Sequence, residues 1–215
     1  MSTFTFGVDE AGRGPAIGSL FAAAVAADPD VLPDGLADSK TLSPARRTEL
    51  ADRLRDTPDV RIGLAEITSD RIDDPDTDMN GLTVAAHVRA IDTVVDDGER
   101  GIVDACDVDE ERFSDRVGRR LEREVAVVAE HGADERYELV AAASVIAKVE
   151  RDAHVERLAA EYGPLGSGYP SDPTTRSFLT SYVDEHGTLP DCARRSWRTC
   201  RAALADASQQ SLDSF

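Results

Sequence analysis

The segment FTFGVDEAGRGPAIGSL, Phe4 to Leu20, narrows most sharply what this chain can fold into. An apolar run gives way to two adjacent acids, Asp9 and Glu10, and then to a glycine-flanked arginine, Gly12-Arg13-Gly14. A second apolar run, SLFAAAVAA, follows from Ser19 to Ala27. Two short apolar runs separated by a glycine-rich turn predict two strands, the second apolar enough to be buried. The acids then lie at the mouth of a strand. A carboxylate partly out of water has to be paired, protonated or bound to a cation. The plain alternative is an acidic pair that closes a strand and faces solvent.

The remaining pattern places these strands in a larger fold. Ser43-Pro44 predicts an N-cap followed by proline at the first helical position, opening a helix to about Arg55. VRIGLAEIT, from Val60, alternates as a strand does. A longer helix begins at Asn80 or Gly81, with Val84, Val88, Ile91 and Val95 at helical spacing. GIVDA is a short buried strand, a polar helical segment follows, and EVAVVAEHGAD predicts a strand running into a turn. A long helix spans about Glu138 to Tyr162. Beyond the loop YGPLGSGYPSDP, helices are expected near Thr174–Glu185 and Ala193–Ala207. Strands first, then strands alternating with helices, then helices alone, predict an α/β fold: a mixed sheet flanked by helices, with a C-terminal helical extension. The expected division is 1–163 for the sheet domain, 164–207 for the extension and 208–215 for a flexible tail.

Composition sharpens the choice of acids. Asp and Glu number 42 against 24 Lys and Arg, a formal net charge of -18, and the acids are spread through apolar-periodic segments. This predicts a folded protein with a surface adapted to high salt, because at about 1 M salt the Debye length is only about 3 Å and self-repulsion is screened. Folding and activity are expected to improve with salt. In so acidic a chain, proximity of acids means little, and only acids in a special local context count. No apolar run approaches the roughly 20 residues that span a bilayer, and no signal peptide is visible, so the expected location is cytoplasmic. Cys106, Cys192 and Cys200 stand at no metal-ligand spacing and are expected to be free thiols.

Three places set a carboxylate at or just beyond an apolar strand: Asp9 with Glu10, Asp104 in GIVDA, and Asp134 in AEHGAD. Acids converging from several strands would repel each other without a cation. An oxygen-only set suits Mg²⁺ or Mn²⁺ rather than zinc. Two such ions activate water and stabilise a leaving oxyanion in phosphodiester cleavage. Spacing alone leaves open whether these acids meet or are ordinary surface residues.

Five blocks together resemble the type 2 ribonucleases H, the ribonuclease HII family, most closely its archaeal branch. They are VDEAGRGP; DSK at Asp38–Lys40 followed by LS; VDACDVD around Asp104; HGADERYELVAAASVIAKVERD from His131; and GSGYPSDPTT from Gly166. They run in the family order across about residues 4 to 180. The resemblance implies an RNase H-like sheet and Mg²⁺- or Mn²⁺-dependent cleavage of RNA in RNA–DNA hybrids and at single ribonucleotides in duplex DNA. It implies Asp9, Glu10, Asp104 and Asp134 as the catalytic, metal-binding carboxylates. Asp107 and Asp109 lie beyond the apolar run and are read as loop residues.

The same resemblance gives the other motifs their expected roles. Glycines at 12 and 14 let backbone approach a ligand with no Cβ in the way. Main-chain groups there can reach a ribose 2′-OH, which distinguishes RNA from DNA. Arg13 either holds a phosphate or stabilises the turn. Tyr169 is expected to pack against the sugar at the RNA–DNA junction, or else to cover the core. Ser144, Lys148 and Asp152 share a helical face, so Lys148 serves either substrate and carboxylates or a helix salt bridge. Lys40 is a phosphate contact, although Thr41 stands where the family often has a second lysine.

Two C-terminal features concern partners. ARRSWRTCRAAL is the most basic stretch, and a helix there would align Arg194, Arg198 and Arg201 as a phosphate-contacting face. Alternatively these arginines pair with acids and Trp197 is core. QQSLDSF sets Gln209, Leu212 and Phe215 at the spacing of a peptide that replication and repair enzymes insert into a sliding clamp. The alternative is a disordered tail. The expected partners are hybrid and ribonucleotide-containing duplexes and a sliding clamp, with no membrane, and the expected state is a monomer. A clamp-recruited module without catalysis would lack at least one carboxylate, and another metal nuclease on this sheet would lack GRG and Tyr169 in these contexts.

Overall fold

In the computed structural model, which describes residues 4–36 and 42–212, five strands form one mixed sheet in the order β3-β2-β1-β4-β5. They are β1 (Phe6–Ala11), β2 (Leu20–Ala26), β3 (Arg61–Ile67), β4 (Arg100–Asp104) and β5 (Ala126–Glu130). β1 pairs antiparallel with β2, whereas β1, β4 and β5 run parallel to one another. The helices are α1 (Pro44–Asp56), α2 (Ser69–Ile72), α3 (Met79–Asp92), α4 (Glu110–Gly118), α5 (Glu138–Tyr162), α6 (Pro173–His186) and α7 (Arg198–Leu212). The expected α/β class holds, and α1 starts as its cap predicts: Ser43 accepts from the amide of Arg46 at 3.3 Å, with Pro44 next. Among the described residues no helix is long and apolar enough to cross a membrane. All three cysteines are free.

Three local expectations change. Asp9 and Glu10 lie inside β1 rather than after it. Ala23 and Ala22 of β2 stand opposite them, so the ladder carries the strand on past the apolar run. α7 begins at Arg198, not near Ala193, because residues 193–197 form turns and bonds of their own. The same helix continues to Leu212, so the tail expected to be flexible from residue 208 is helical as far as it is described.

By packing, the chain divides into two compact units, and the line differs from the 1–163/164–207 division of chain order. The first unit takes the chain through Ala11, Phe21–Glu66 and Met79–Arg151; the second takes Gly12–Leu20, Ile67–Asp78 and everything from Asp152. α5 accounts for much of the first core. Leu139 to Ala147 are buried without a break, with Ala23 and Val25 of β2 and Leu50 and Leu54 of α1 in the same cluster. A helix buried on all faces needs small side chains where backbones approach, and alanine supplies them. At Gly7 the approach is extreme: a Cβ there would lie 2.4 Å from the backbone of Leu139 and Val140. In the second unit, Val155, Leu158 and Tyr162 of α5 pack on a cluster that includes Ile17, Leu179, Val183 and Cys200. The last turns of α5 thus belong with the C-terminal helices.

Candidate functional site

The parallel run of β1, β4 and β5 puts the C-terminal ends of all three strands at one edge of the sheet. The predicted carboxylates come from that edge. Val8 pairs with Val103, and the register carried one step further sets Asp9 beside Asp104, the last residue of β4. The chain leaving β5 makes a 3-10 turn at Ala133–Glu135, and the amide of Ala133 donates to Asp104 Oδ1 at 2.9 Å. Asp134 is the next residue, only 3% exposed. Acids from three separate stretches of the chain thus come from two adjacent strands and the turn that follows the third.

Strand alternation sends the neighbouring acids to opposite faces. Asp9 faces α5. Two strand residues span roughly 6.7 Å and four helical residues about 6 Å, so the Gly7 contact with Val140 recurs as Asp9 opposite Ser144. Ser144 hydrogen-bonds the Asp9 carboxyl, and Lys148 Nζ donates to Ser144 Oγ at 2.7 Å. Glu10 faces α3, where Oε2 lies 2.9 Å from Nε2 of the fully buried His87. The His87 ring stacks edge-on against Phe113, and its Nδ1 has no hydrogen-bond partner among the described residues.

Electrostatically this edge is strained. The Asp9 carboxyl is pushed up to about 8, first by burial, then by the charges of Glu10 and Asp104; Ser144 and Lys148 offset only part of this. Among the described residues no three His, Cys, Asp or Glu side chains already form a metal-ligating cluster. Glu10 meets His87, and Asp104 accepts from the Ala133 amide. The donor set nevertheless fits a hard divalent ion: all donors are oxygens, and Asp9 and Asp134 are buried. Asp107 and Asp109 have other work. Asp107 is held by Arg112 and Arg116, with its carboxyl below the usual range mainly because of the Arg112 hydrogen bond, and Asp109 caps α4.

The second unit contains the other predicted group. Gly12 has φ 89°, a conformation that a side chain would strain. Gly14 is exposed and lies along the ring of Tyr169, whose Cε1 would be 3.5 Å from an added Cβ. Tyr169 is 40% exposed, and the Gly168 carbonyl accepts from the Ala16 amide at 2.7 Å, tying its loop to the glycine loop. Arg194 departs from expectation. It is fully buried, ahead of α7 rather than within it, and does not share a surface with Arg198. Its Nε donates to the carbonyl of Gly18 at 2.8 Å, Nη1 to that of Arg13 at 3.0 Å and Nη2 to that of Gly12 at 2.6 Å. A guanidinium with three carbonyls to satisfy is better buried than spent on a solvated phosphate. Arg198 and Arg201 are exposed at the start of α7, and Gln209 is exposed near its end, with Leu212 the last helical residue. Lys40 and Phe215 lie outside the described residues.

His87 was missed by sequence reasoning. Its only signal was a histidine among Leu82, Val84, Ala86, Ala90 and Ile91 on the buried face of α3, which ordinarily marks core. Its partner Glu10 is 77 residues away.

Comparison with known proteins identifies the family. The family model described as Ribonuclease HII matches residues 6–200. A ribonuclease HII of Halobacterium salinarum is 62% identical over 211 residues, 98% of this chain and 99% of the relative. The ribonuclease H2 of Pyrococcus horikoshii OT3 superposes with a TM-score of 0.88 at 38% identity, covering 95% of this chain and 98% of that one. The RNase HII in the PCNA:RNase HII complex from Archaeoglobus fulgidus matches with a TM-score of 0.82 at 39% identity, over 91% and 96% of the two chains. Agreement of this extent, in sequence and in fold, means that the chain belongs to the ribonuclease HII family and is an endoribonuclease acting on RNA–DNA hybrids.

Proposed function

We propose that the chain cuts on the 5′ side of ribonucleotides, in hybrids and embedded singly in duplex DNA, leaving 3′-hydroxyl and 5′-phosphate ends. Asp9, Glu10, Asp104 and Asp134 are the residues that would hold divalent metal, Mg²⁺ or Mn²⁺. What supports this reading is that the acids come from the C-terminal ends of three adjacent parallel strands and the turn after the last, with a buried Asp9 crowded by Glu10 and Asp104. Bound there, a divalent ion supplies activation of water and neutralisation of the departing 3′ oxygen. The chain's own residues do the positioning. Ser144 and Lys148 hold the Asp9 carboxylate from α5, and His87 holds Glu10 from α3. Main-chain groups of Gly12-Arg13-Gly14 meet the ribose 2′-OH while Tyr169 covers the sugar, and Lys40 and the exposed Arg198 contact phosphates.

The deciding experiment incubates the protein, in molar salt with Mg²⁺ or Mn²⁺, with a duplex bearing one ribonucleotide and locates the cut. Cleavage 5′ of that nucleotide is expected; an uncut duplex, or a cut elsewhere, would remove the assignment. The same protein acts as a monomer recruited to a sliding clamp through Gln209, Leu212 and Phe215. The PCNA complex of the Archaeoglobus fulgidus relative supports that reading. Deletion of 209–215 should abolish clamp binding and spare cleavage, and clamp binding that survives would end the idea.

A further inference from the structure

We propose that Arg194 is a positioning residue for ribonucleotide discrimination. It grips the glycine loop from its buried side and thereby orients the amide donors that the loop offers to a sugar. The inference rests on the reading above that Gly12–Gly14 contact the ribonucleotide, and it concerns what holds that contact in place. In a trans peptide the carbonyl of one residue and the N–H of the next point in opposite directions. The carbonyl of Gly12 is fixed on Nη2 and that of Arg13 on Nη1, so the N–H groups of Arg13 and Gly14 are turned away from the guanidinium, side by side. The Gly14 carbonyl in turn accepts from Trp197 Nε1 at 3.1 Å, and Pro15, next in sequence, has no N–H to offer. Gly18 closes the grip through Nε.

The grip is itself held. Arg194 lies over the Trp197 ring, with Cζ 5.0 Å from its centroid, and its own amide donates to the Ala16 carbonyl at 2.8 Å. Behind it, the Asp73 carboxylate accepts from the amides of Arg195 at 2.6 Å and Ser196 at 2.9 Å. Arginine suits the task because its planar fork reaches three acceptors in fixed directions, whereas lysine is a point charge on a flexible stem. Donors held in advance lose less entropy on binding than donors on a loose loop, so their placement is expressed as selectivity.

The test is one cleavage assay with two readouts: KM for a duplex with one embedded ribonucleotide, and Ki for the same duplex made wholly of DNA, added as competitor. The ratio Ki/KM measures discrimination. Arg194→Lys should lower this ratio by about tenfold through KM, with Ki within about twofold of the parent. A ratio that is unchanged, or KM and Ki rising together, would overturn the proposal and leave Arg194 a purely structural residue. If Arg194→Lys does not fold by circular dichroism, Trp197→Phe, which removes the donor to Gly14 and leaves a smaller ring under Arg194, should lower the ratio about threefold, and an unchanged ratio there overturns it equally. A parent ratio near one would show that the loop does not read the sugar at all. That result sinks the contact reading and this proposal with it, and it is distinguishable from a discriminating parent with an equally discriminating variant.

Discussion

At the strand edge that carries Asp9, Glu10, Asp104 and Asp134, burial and the charges of Glu10 and Asp104 raise the Asp9 carboxyl beyond what Ser144 and Lys148 offset. In the loop that carries Gly12–Gly14, the main-chain carbonyls of Gly12, Arg13, Gly14 and Gly18 are each met by a buried or half-buried donor. The first region keeps an electrostatic deficit that a divalent ion would relieve. The second has had its acceptors satisfied, so that what it presents is fixed in direction. The contrast separates two ways of preparing a site: storing unfavourable charge where a ligand will supply the counter-charge, and satisfying one side of a backbone so that the other side is rigid.

The largest expected effect tests the stored charge. Asp9→Asn keeps the shape and removes the charge. Losing several kcal/mol of transition-state stabilisation corresponds to a fall in cleavage of about 10³-fold. The same change should raise the melting temperature of the metal-free protein, because a buried carboxylate crowded by Glu10 and Asp104 no longer has to be accommodated. Near-normal turnover would remove Asp9 from the site. A melting temperature that falls would mean the edge is not strained as described.

A middle-sized effect asks whether the positioning of Glu10 matters to the ion. His87→Ala should weaken Mg²⁺ or Mn²⁺ binding by about 10- to 100-fold in a calorimetric titration, the usual cost of losing a partner behind a ligand. His87→Gln, which can still donate to Glu10, should recover part of it. If both variants bind metal as the parent does, His87 only fills the core between α3 and α4.

The smallest effect probes the satisfied region through Asp172, which caps α6 and accepts from the amides of Ser167 at 2.6 Å and Thr174 at 2.9 Å. These bonds, that of Ser167 first, hold its carboxyl down to about 2 from an ordinary 3.8. A carboxylate depressed on folding stabilises the protein above its unfolded value and loses that contribution as pH falls through the folded one. The melting temperatures of the parent and Asp172→Ala should therefore differ modestly at pH 5 and converge between about pH 4 and 2. A difference that stays constant over that window would show that the charge of Asp172 contributes nothing to the loop carrying Tyr169.

The sequence alone settled whatever depends on neighbours along the chain. The Ser43-Pro44 cap, the alternation of β3, the apolar periodicity of α3, the extent of α5 and the glycine-flanked arginine are all local statements, and each reappears where it was expected. The choice of acids rested on five blocks in fixed order that resemble a known family. What local patterning could not supply was pairing. Nothing near Asp9 says that β1 lies parallel to β4, yet that register brings Asp104 beside it. Nothing near Arg194 says that it faces Gly12, which is 182 residues away. On its own, a run of arginines around a tryptophan suggests a surface for phosphates, and only the fold made one of them the buried anchor of a loop at the far end of the chain. The physical reason is that charge and hydropathy are properties of a segment, whereas burial and hydrogen-bond partners are properties of its contacts. Those contacts are chosen by the packing of the whole.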